Sequence, residues 1–385
     1  MRPESERARN LRRSEIRILF DAALRHAGAI RLEVGEPSFT TPNHVIDAAM
    51  KAARDGFTKY GPNGGLLSLR ELLAAKIAKI DGFEVDPDQV VVTPGGMNAL
   101  SSTFLALLDA DDEVLIPTPG FPNLDQMVSL YGGVPVFYPL SADNGFLPDL
   151  AVLEQKVTAR TKVLFVNTPS NPTGAVFPPG SVEDLVEFCQ RHDLWMLSDE
   201  VYDELILEEG LEHTAAGRFD SDGRVVTVYS FSKVYAMTGW RVGYAVASPE
   251  MADSLRKLQE PQVSCPSTVS QKAAEAALTG PRRPFDQMLE AYRKRRGAAL
   301  EAASAAGLRV VRPHGTLYML IDISSWPRPG LDFALSLLEQ RGVSVAPGSV
   351  FGPGGEGWIR ISLAAEEADI VEGIGRIGAH LRDGA

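Results

Sequence analysis

The sequence predicts an α/β fold with a second, smaller α+β unit, on three observations. Short β-prone runs recur at 89–93, 112–117, 161–166, 193–197 and 225–229. Helical stretches precede and separate them, notably LLSLRELLAAKIAKI after Gly65, ahead of the first run, and Met97 to Leu108 between the first two. The last part of the chain alternates strands and turns in LRVVRPHGTLYMLIDIS, GVSVAPGSVFG and GWIRISLA, which suggests the smaller unit.

A chain of 385 residues has room for a large and a small domain, each with a core. Its 44% hydrophobic and 23% charged residues are ordinary for a globular enzyme. A net charge of −12 argues against nucleic acid or a membrane surface as general partners. No apolar run approaches the roughly 18 residues that span a bilayer. Glu4, Glu6 and Glu15 interrupt the arginine-rich start and no apolar stretch follows, so the expected location is cytoplasmic. Two cysteines make no disulfide framework, and Cys189 in EDLVEFCQRH reads as a buried helix position. The six histidines show no metal-ligand spacing, so no metal is expected.

Taken in order, residues 11–28 form an amphipathic helix, with Ile16, Leu19, Phe20, Ala23 and Leu24 on one face. Gly35 and Pro37 end a short strand, and a glycine there allows close backbone approach to a ligand. Tyr60 opens a turn cluster that runs to Gly65. After the strand at 89–93, Gly95, Gly96 and Met97 begin a helix whose unpaired N–H groups suit an anion, although such turns also occur simply for packing. Phe121 closes the strand at 112–117, and on its own reads as core. The strand at 161–166 runs into Asn167-Thr168-Pro169-Ser170-Asn171-Pro172-Thr173-Gly174, where Pro172 holds Asn171 extended and its amide aimed. Asp199 ends the next strand and is costly to bury without a cation, although alone it also fits a helix N-cap. Tyr202 follows three residues later.

The strand at 225–229 delivers the chain into SFSKVYAMTGWRVGY, with Lys233 just past a strand end. Ser230, Ser232 and Arg241 around it suit a phosphate, and an amine near a second cation and away from water can form a Schiff base. From Gln271 to Ala306 the chain reads as helix, with Arg293, Lys294, Arg295 and Arg296 as a solvated face. The run from Gly352 to Gly357 fits G-x-G-x-x-G but leads into a strand, which excludes a dinucleotide site. Arg360 sits mid-strand in an apolar setting and needs an anion.

From Gly35 to Arg360 these motifs, above all N-x-x-x-N-P-T-G and S-x-S-K, resemble the class I/II aminotransferases of pyridoxal-phosphate fold type I. The resemblance implies a large domain at 46–280 with a mostly parallel seven-stranded sheet, and a small domain from 1–45 and 281–385. It implies pyridoxal 5'-phosphate as cofactor, amino acids and 2-oxo acids as substrates, and a homodimer in which Tyr60 reaches the partner's cofactor phosphate. Lys233 would carry the cofactor as an aldimine and move the proton in a ping-pong exchange. Asp199 would hold the ring nitrogen protonated, Asn171 and Tyr202 would bind the ring oxygen, and Phe121 would stack on the ring. Gly95, Gly96, Met97, Ser230, Ser232 and Arg241 would hold the phosphate, while Gly35, Asn171 and Arg360 would contact the substrate, Gly35 and Arg360 at its carboxylate. An eliminating, cyclising or oxidising reaction on the same scaffold is the alternative. Some relatives that accept acidic substrates carry lysine after the glycine pair. Met97 stands there here, and with Tyr318 and Phe121 it predicts preference for a neutral or apolar side chain, unless Arg17 or Arg25 supplies a cation.

Overall fold

The computed structural model describes residues 2–384. In chain order its strands are β1 (Ile30–Arg31), β2 (Val90–Thr93), β3 (Glu113–Thr118), β4 (Val134–Pro139), β5 (Thr161–Asn167), β6 (Trp195–Asp199), β7 (Val225–Ser230), β8 (Gly243–Val246), β9 (Tyr318–Asp322), β10 (Val343–Ser344), β11 (Ala346–Pro347) and β12 (Trp358–Ser362). Seven of them form one sheet in the order β2-β8-β7-β6-β5-β3-β4. Only β8 runs against its neighbours, β2 and β7.

Both faces of this sheet are covered, so its strands read as unbroken apolar runs. Side chains still alternate along each strand. Val163 and Phe165 join one core with Leu100 and Phe104 of the helix Gly96–Leu107. Leu164 and Val166 join another with Leu185, Phe188 and the buried Cys189 of the helix Pro179–Arg191. Two of the seven strands lie outside the expected runs. β4 is an edge strand carrying Pro135 and Pro139, residues that weaken a strand signal. β8 has only four residues, GYAV, directly after the Arg241 turn.

The other strands make a smaller assembly. β11, β12 and β9 form an antiparallel sheet and β1 pairs in parallel with β10. The helices Arg283–Ala305 and Glu367–Gly384 pack against each other. The helix expected over 11–28 is confined to Glu15–Arg25, starting after Ser14 and ending at His26. Leu19 and Ala23 are buried there, but Leu24 is 62% exposed and does not belong to the buried face.

The basic run at 293–296 is not a solvated face. Arg295 and Arg296 are buried, because their heads reach acceptors that the surrounding backbone leaves open while their stems cover apolar surface. Arg295 Nη1 donates to Ser38 Oγ at 3.0 Å, Ala364 O at 3.2 Å and Leu363 O at 3.4 Å, and Nη2 to Glu366 at 3.1 Å. Arg296 reaches Glu208 at 2.9 Å and Pro313 O at 3.1 Å. Lys294 alone behaves as expected, out in solvent beside Glu367.

Candidate active site

The carboxyl ends of β5, β6 and β7 converge, as ligand sites in α/β sheets do. Asn167 and Asp199 lie opposite each other in register. Asn167 Nδ2 donates to Asp199 O at 2.9 Å, and its Oδ1 accepts from Asn171 N at 2.7 Å. This folds the Thr168–Asn171 turn over the strand end and aims Asn171. Asn171 Oδ1 accepts from Arg360 Nη1 at 2.9 Å, so its amide NH2 is the group it can offer to the cavity it lines.

That cavity, about 230 Å³, brings together Gly96, Met97, Phe121, Asn171, Asp199, Tyr202, Ser230, Ser232, Lys233 and Arg241. Three expected residues stand just behind its wall. Gly35 O accepts from Lys233 Nζ at 2.5 Å. Gly95 takes φ +82°, and a Cβ there would lie 2.5 Å from Arg241 Nη2, so only glycine lets the guanidinium in. Arg360 reaches the cavity through Asn171. Tyr60 is elsewhere, 89% exposed on a surface groove with Cys265 and Thr268.

Among the described residues neither Asp199 nor Arg360 has a salt-bridge partner. Burial pushes the Asp199 carboxyl up to about 7, helped by Glu200, while the Val201 N–H at 3.4 Å and the Lys233 cation pull it down. A cation in the cavity would relieve it. Arg360 is 3% exposed and burial pulls its guanidinium below the usual range. Its Nη1 and Nη2 bonds go to the neutral oxygens Asn171 Oδ1 and Glu33 O, the latter at 2.8 Å, and it lies 4.1 Å over the Tyr318 ring. Tyr202 and Tyr318 share a hydroxyl contact at 3.1 Å. Burial and Tyr318 push Tyr202 up, whereas at Tyr318 the Lys233 and Arg360 cations outweigh burial and hold it low.

At the other end of the cavity, Gly95 caps the helix Gly96–Leu107, whose first amides have no preceding turn to bond. With Arg241, Ser230 and Ser232 nearby this is a seat for an anion.

The residues sequence reasoning undervalued are Asn167, Tyr318, Thr238, Leu100 and Val201, the last four of which line the cavity. Tyr318 is more than apolar surface, since a Cβ on Gly35 would fall 1.9 Å from its hydroxyl. The first asparagine of N-x-x-x-N was the available signal for Asn167. Met97 lines the wall, but Arg17 lies over Phe20 at 5.0 Å. Arg12 and Arg13 line a second cavity of about 320 Å³ that shares Phe121, and they are paired with Asp125 and Asp21.

Residues 27–377 match the family model described as "Aminotransferase class I and II". The chain belongs to this family. It is 39% identical to an aspartate/prephenate aminotransferase of Thermus thermophilus over 90% of this chain and 89% of that one. It is 36% identical to the aromatic-amino-acid aminotransferase 2 of Thermococcus litoralis over 98% of both. Among solved structures, the Thermus thermophilus aspartate aminotransferase with maleate superposes with a TM-score of 0.94 at 37% identity, covering 99% of this chain and all of that one. The protein is thus a pyridoxal-phosphate-dependent aminotransferase of the α/β fold type I, acting on amino and 2-oxo acids. The site fits that cofactor on its own chemistry, with an uncompensated buried acid, a primary amine, a ring-sized wall in Phe121 and a glycine-helix seat beside an arginine. Among the described residues no helix is long and apolar enough to cross a membrane, and no cluster of side chains could hold a metal.

Proposed function

We propose that the enzyme runs a ping-pong transamination in which Lys233 is both the covalent attachment point of the cofactor aldehyde and the proton carrier. The observation that carries this is the convergence of Lys233, Asp199 and Asn171 with the Gly96 helix start and Arg241 on one cavity. When bound, pyridoxal 5'-phosphate supplies an electron sink that makes the amino acid's Cα proton acidic. Asp199 would pair with the ring nitrogen and keep it protonated, a cation that would relieve the cost of its own burial. Asn171 and Tyr202 would hold the ring's oxygen, and Phe121 would give the ring an aromatic wall. The amides of Gly96 and Met97, Gly95 behind them, Ser230, Ser232 and Arg241 hold the phosphate. Arg360 grips the substrate carboxylate beneath Gly35, exchanging neutral oxygens for an anion. Lys233 Nζ would take the proton from Cα as general base and give it, as general acid, to the cofactor's C4′ carbon.

On the same reading the active unit is a homodimer in the cytoplasm, Tyr60 serving the partner's phosphate seat; its 89% exposure supports a role outside its own cavity. The large domain spans 46–280 and the small one 1–45 with 281–385. Borohydride reduction of the holoenzyme followed by peptide mapping tests the core of the proposal: the pyridoxyl group is expected on Lys233, and label on any other lysine overturns it.

A further inference from the structure

Next to Asp199 and Tyr202 in the chain, Glu200, Asp203 and Glu204 belong to a largely buried group of charges, with Arg282 at its solvent edge. Lys76 Nζ bonds Asp203 at 2.5 Å and stands 3.5 Å from Glu204, which also binds Arg282 at 2.5 Å. Glu200, fully buried, accepts from Ser198 Oγ at 2.8 Å and Ala216 N at 2.9 Å, and pairs with His213 Nε2 at 2.9 Å. Two cations, Lys76 and Arg282, and His213, whose ring Glu200 holds above its usual range against the pull of burial, thus face three carboxylates, Glu200, Asp203 and Glu204.

Asp81 is a fourth carboxyl, with no ion-pair partner of its own among the described residues. It is 5% exposed, and both its oxygens are buried with no hydrogen-bond partner among the described residues. It reaches this place through a break in the helical pattern. The helix Leu67–Lys76 widens into a π-turn at Ile77–Asp81, which turns Ile80 out to solvent at 44% exposure and Asp81 inward. Such turns recur at functional sites. An apolar residue outside and an acid inside is a local violation of patterning that folding alone does not favour.

We propose that Asp81 is a positioning residue for the reaction, kept as the neutral acid so that the charges behind the Asp199–Tyr202 turn stay balanced and the turn stays fixed. The inference rests on the roles given above to Asp199 and Tyr202. The groups that face Asp81 are Lys76 on its own helix, Glu200 and Asp203 on the turn, His213 on the following loop, and the phenols of Tyr229 and Tyr244 on β7 and β8. Burial pushes Asp81 up to about 7; Lys76 and His213 pull it down, and Asp203 and Glu200 push it further up. Once ionised, Asp81 repels Glu200 and Asp203, the two residues whose bonds hold the turn, and its charge acts on the buried hydroxyls of Tyr229 and Tyr244, which have no hydrogen-bond partner among the described residues.

The test is Asp81→Asn in the holoenzyme, with two readouts. A native acid raised above its unfolded value of about 4 binds more protons folded than unfolded, so wild-type stability falls as pH rises from there toward about 7, and asparagine removes that loss. The variant's Tm relative to wild type is therefore expected to rise by a few degrees between about pH 5 and about pH 8. The ratio of kcat/KM, variant to wild type, is expected to rise at least about threefold between about pH 6 and about pH 8.5, a comparison that cancels titrations common to both. A Tm difference that is the same at both pH values overturns the neutral acid. A changing Tm difference with a flat kcat/KM ratio overturns the positioning role. Asp81→Leu, also uncharged throughout, repeats both readouts if asparagine fails to fold, and failure of both to fold makes Asp81 a packing residue and ends the proposal. Absence of transamination in the wild-type holoenzyme would sink the function itself yet leave the Tm comparison standing, so the two failures are distinguishable.

Discussion

Replacing Arg360 by methionine should separate stability from catalysis with effects of very different size. The guanidinium is 3% exposed and its Nη1 and Nη2 bonds end on neutral oxygens, Asn171 Oδ1 at 2.9 Å and Glu33 O at 2.8 Å. Removing it orphans those two acceptors, at about 1–3 kcal/mol each. It also removes a buried cation whose desolvation costs several kcal/mol, and methionine fills much of the space over Tyr318 and Phe351. The two contributions oppose each other, so the cofactor-free protein should change in stability by less than about 2 kcal/mol. The substrate carboxylate, in contrast, loses a bidentate charge-assisted pair worth roughly 3–4 kcal/mol, which lowers kcat/KM by about 10²–10³-fold. Denaturant titration and steady-state kinetics on the same preparation check both. A fall in kcat/KM of less than about tenfold, or a stability loss beyond about 3 kcal/mol with kcat/KM per folded molecule retained, would make Arg360 a structural residue and refute the reasoning.

Mixed dimers of Tyr60→Phe and Lys233→Ala chains should recover partial activity, because one intact site per heterodimer survives if Tyr60 acts across the interface; no recovery places its action within its own chain. The Asp199 carboxyl, pushed up to about 7 by burial, destabilises the cofactor-free protein increasingly as pH rises from about 4 to about 7, and a cofactor cation removes that penalty. The Tm gain on adding pyridoxal 5'-phosphate should therefore be larger at about pH 8 than at about pH 5.5, and Asp199→Asn should abolish the difference. With Met97 at the cavity wall and Arg12 and Arg13 already paired, kcat/KM for leucine, phenylalanine or methionine should exceed that for aspartate. Aspartate leading by more than about tenfold, worth about 1.4 kcal/mol, would reveal a distal cation in the occupied site.

The strand-end residues were legible because their signals are local. A strand, a turn residue and a polar side chain within ten positions suffice to place Lys233, Asp199 and Asn171 at one rim of a sheet. What escaped depends on contacts distant in sequence. Arg295 looks like a surface charge until Ser38 and Leu363 are folded against it, 257 and 68 residues away. Asp81 looks like the polar end of a helix, and only the π-turn carries it inside. Tyr318 could be noticed as an aromatic, but its contacts with Gly35, Tyr202 and Arg360 join three separate stretches of chain. Edge strand β4 carried too much proline to announce itself.

The register that sets Asn167 against Asp199, and Asp199 against Val228, has a consequence for how this enzyme can change over time. Spacing between neighbouring strands is dictated by main-chain hydrogen bonds at close to 4.8 Å, whatever side chains the strands carry. The lateral separation of the Asn167 and Asp199 strand ends is therefore inherited from the backbone and does not have to be maintained by natural selection residue by residue. Insertions in the connections between strands should be tolerated as long as neither strand slips, whereas a single-residue deletion inside β5 or β6 would turn Asn167 or Asp199 to the opposite face and silence the enzyme without touching any functional side chain. Drift is permitted along the loops and forbidden along the rungs, an asymmetry that a deep insertion–deletion scan of residues 161–199 would make visible.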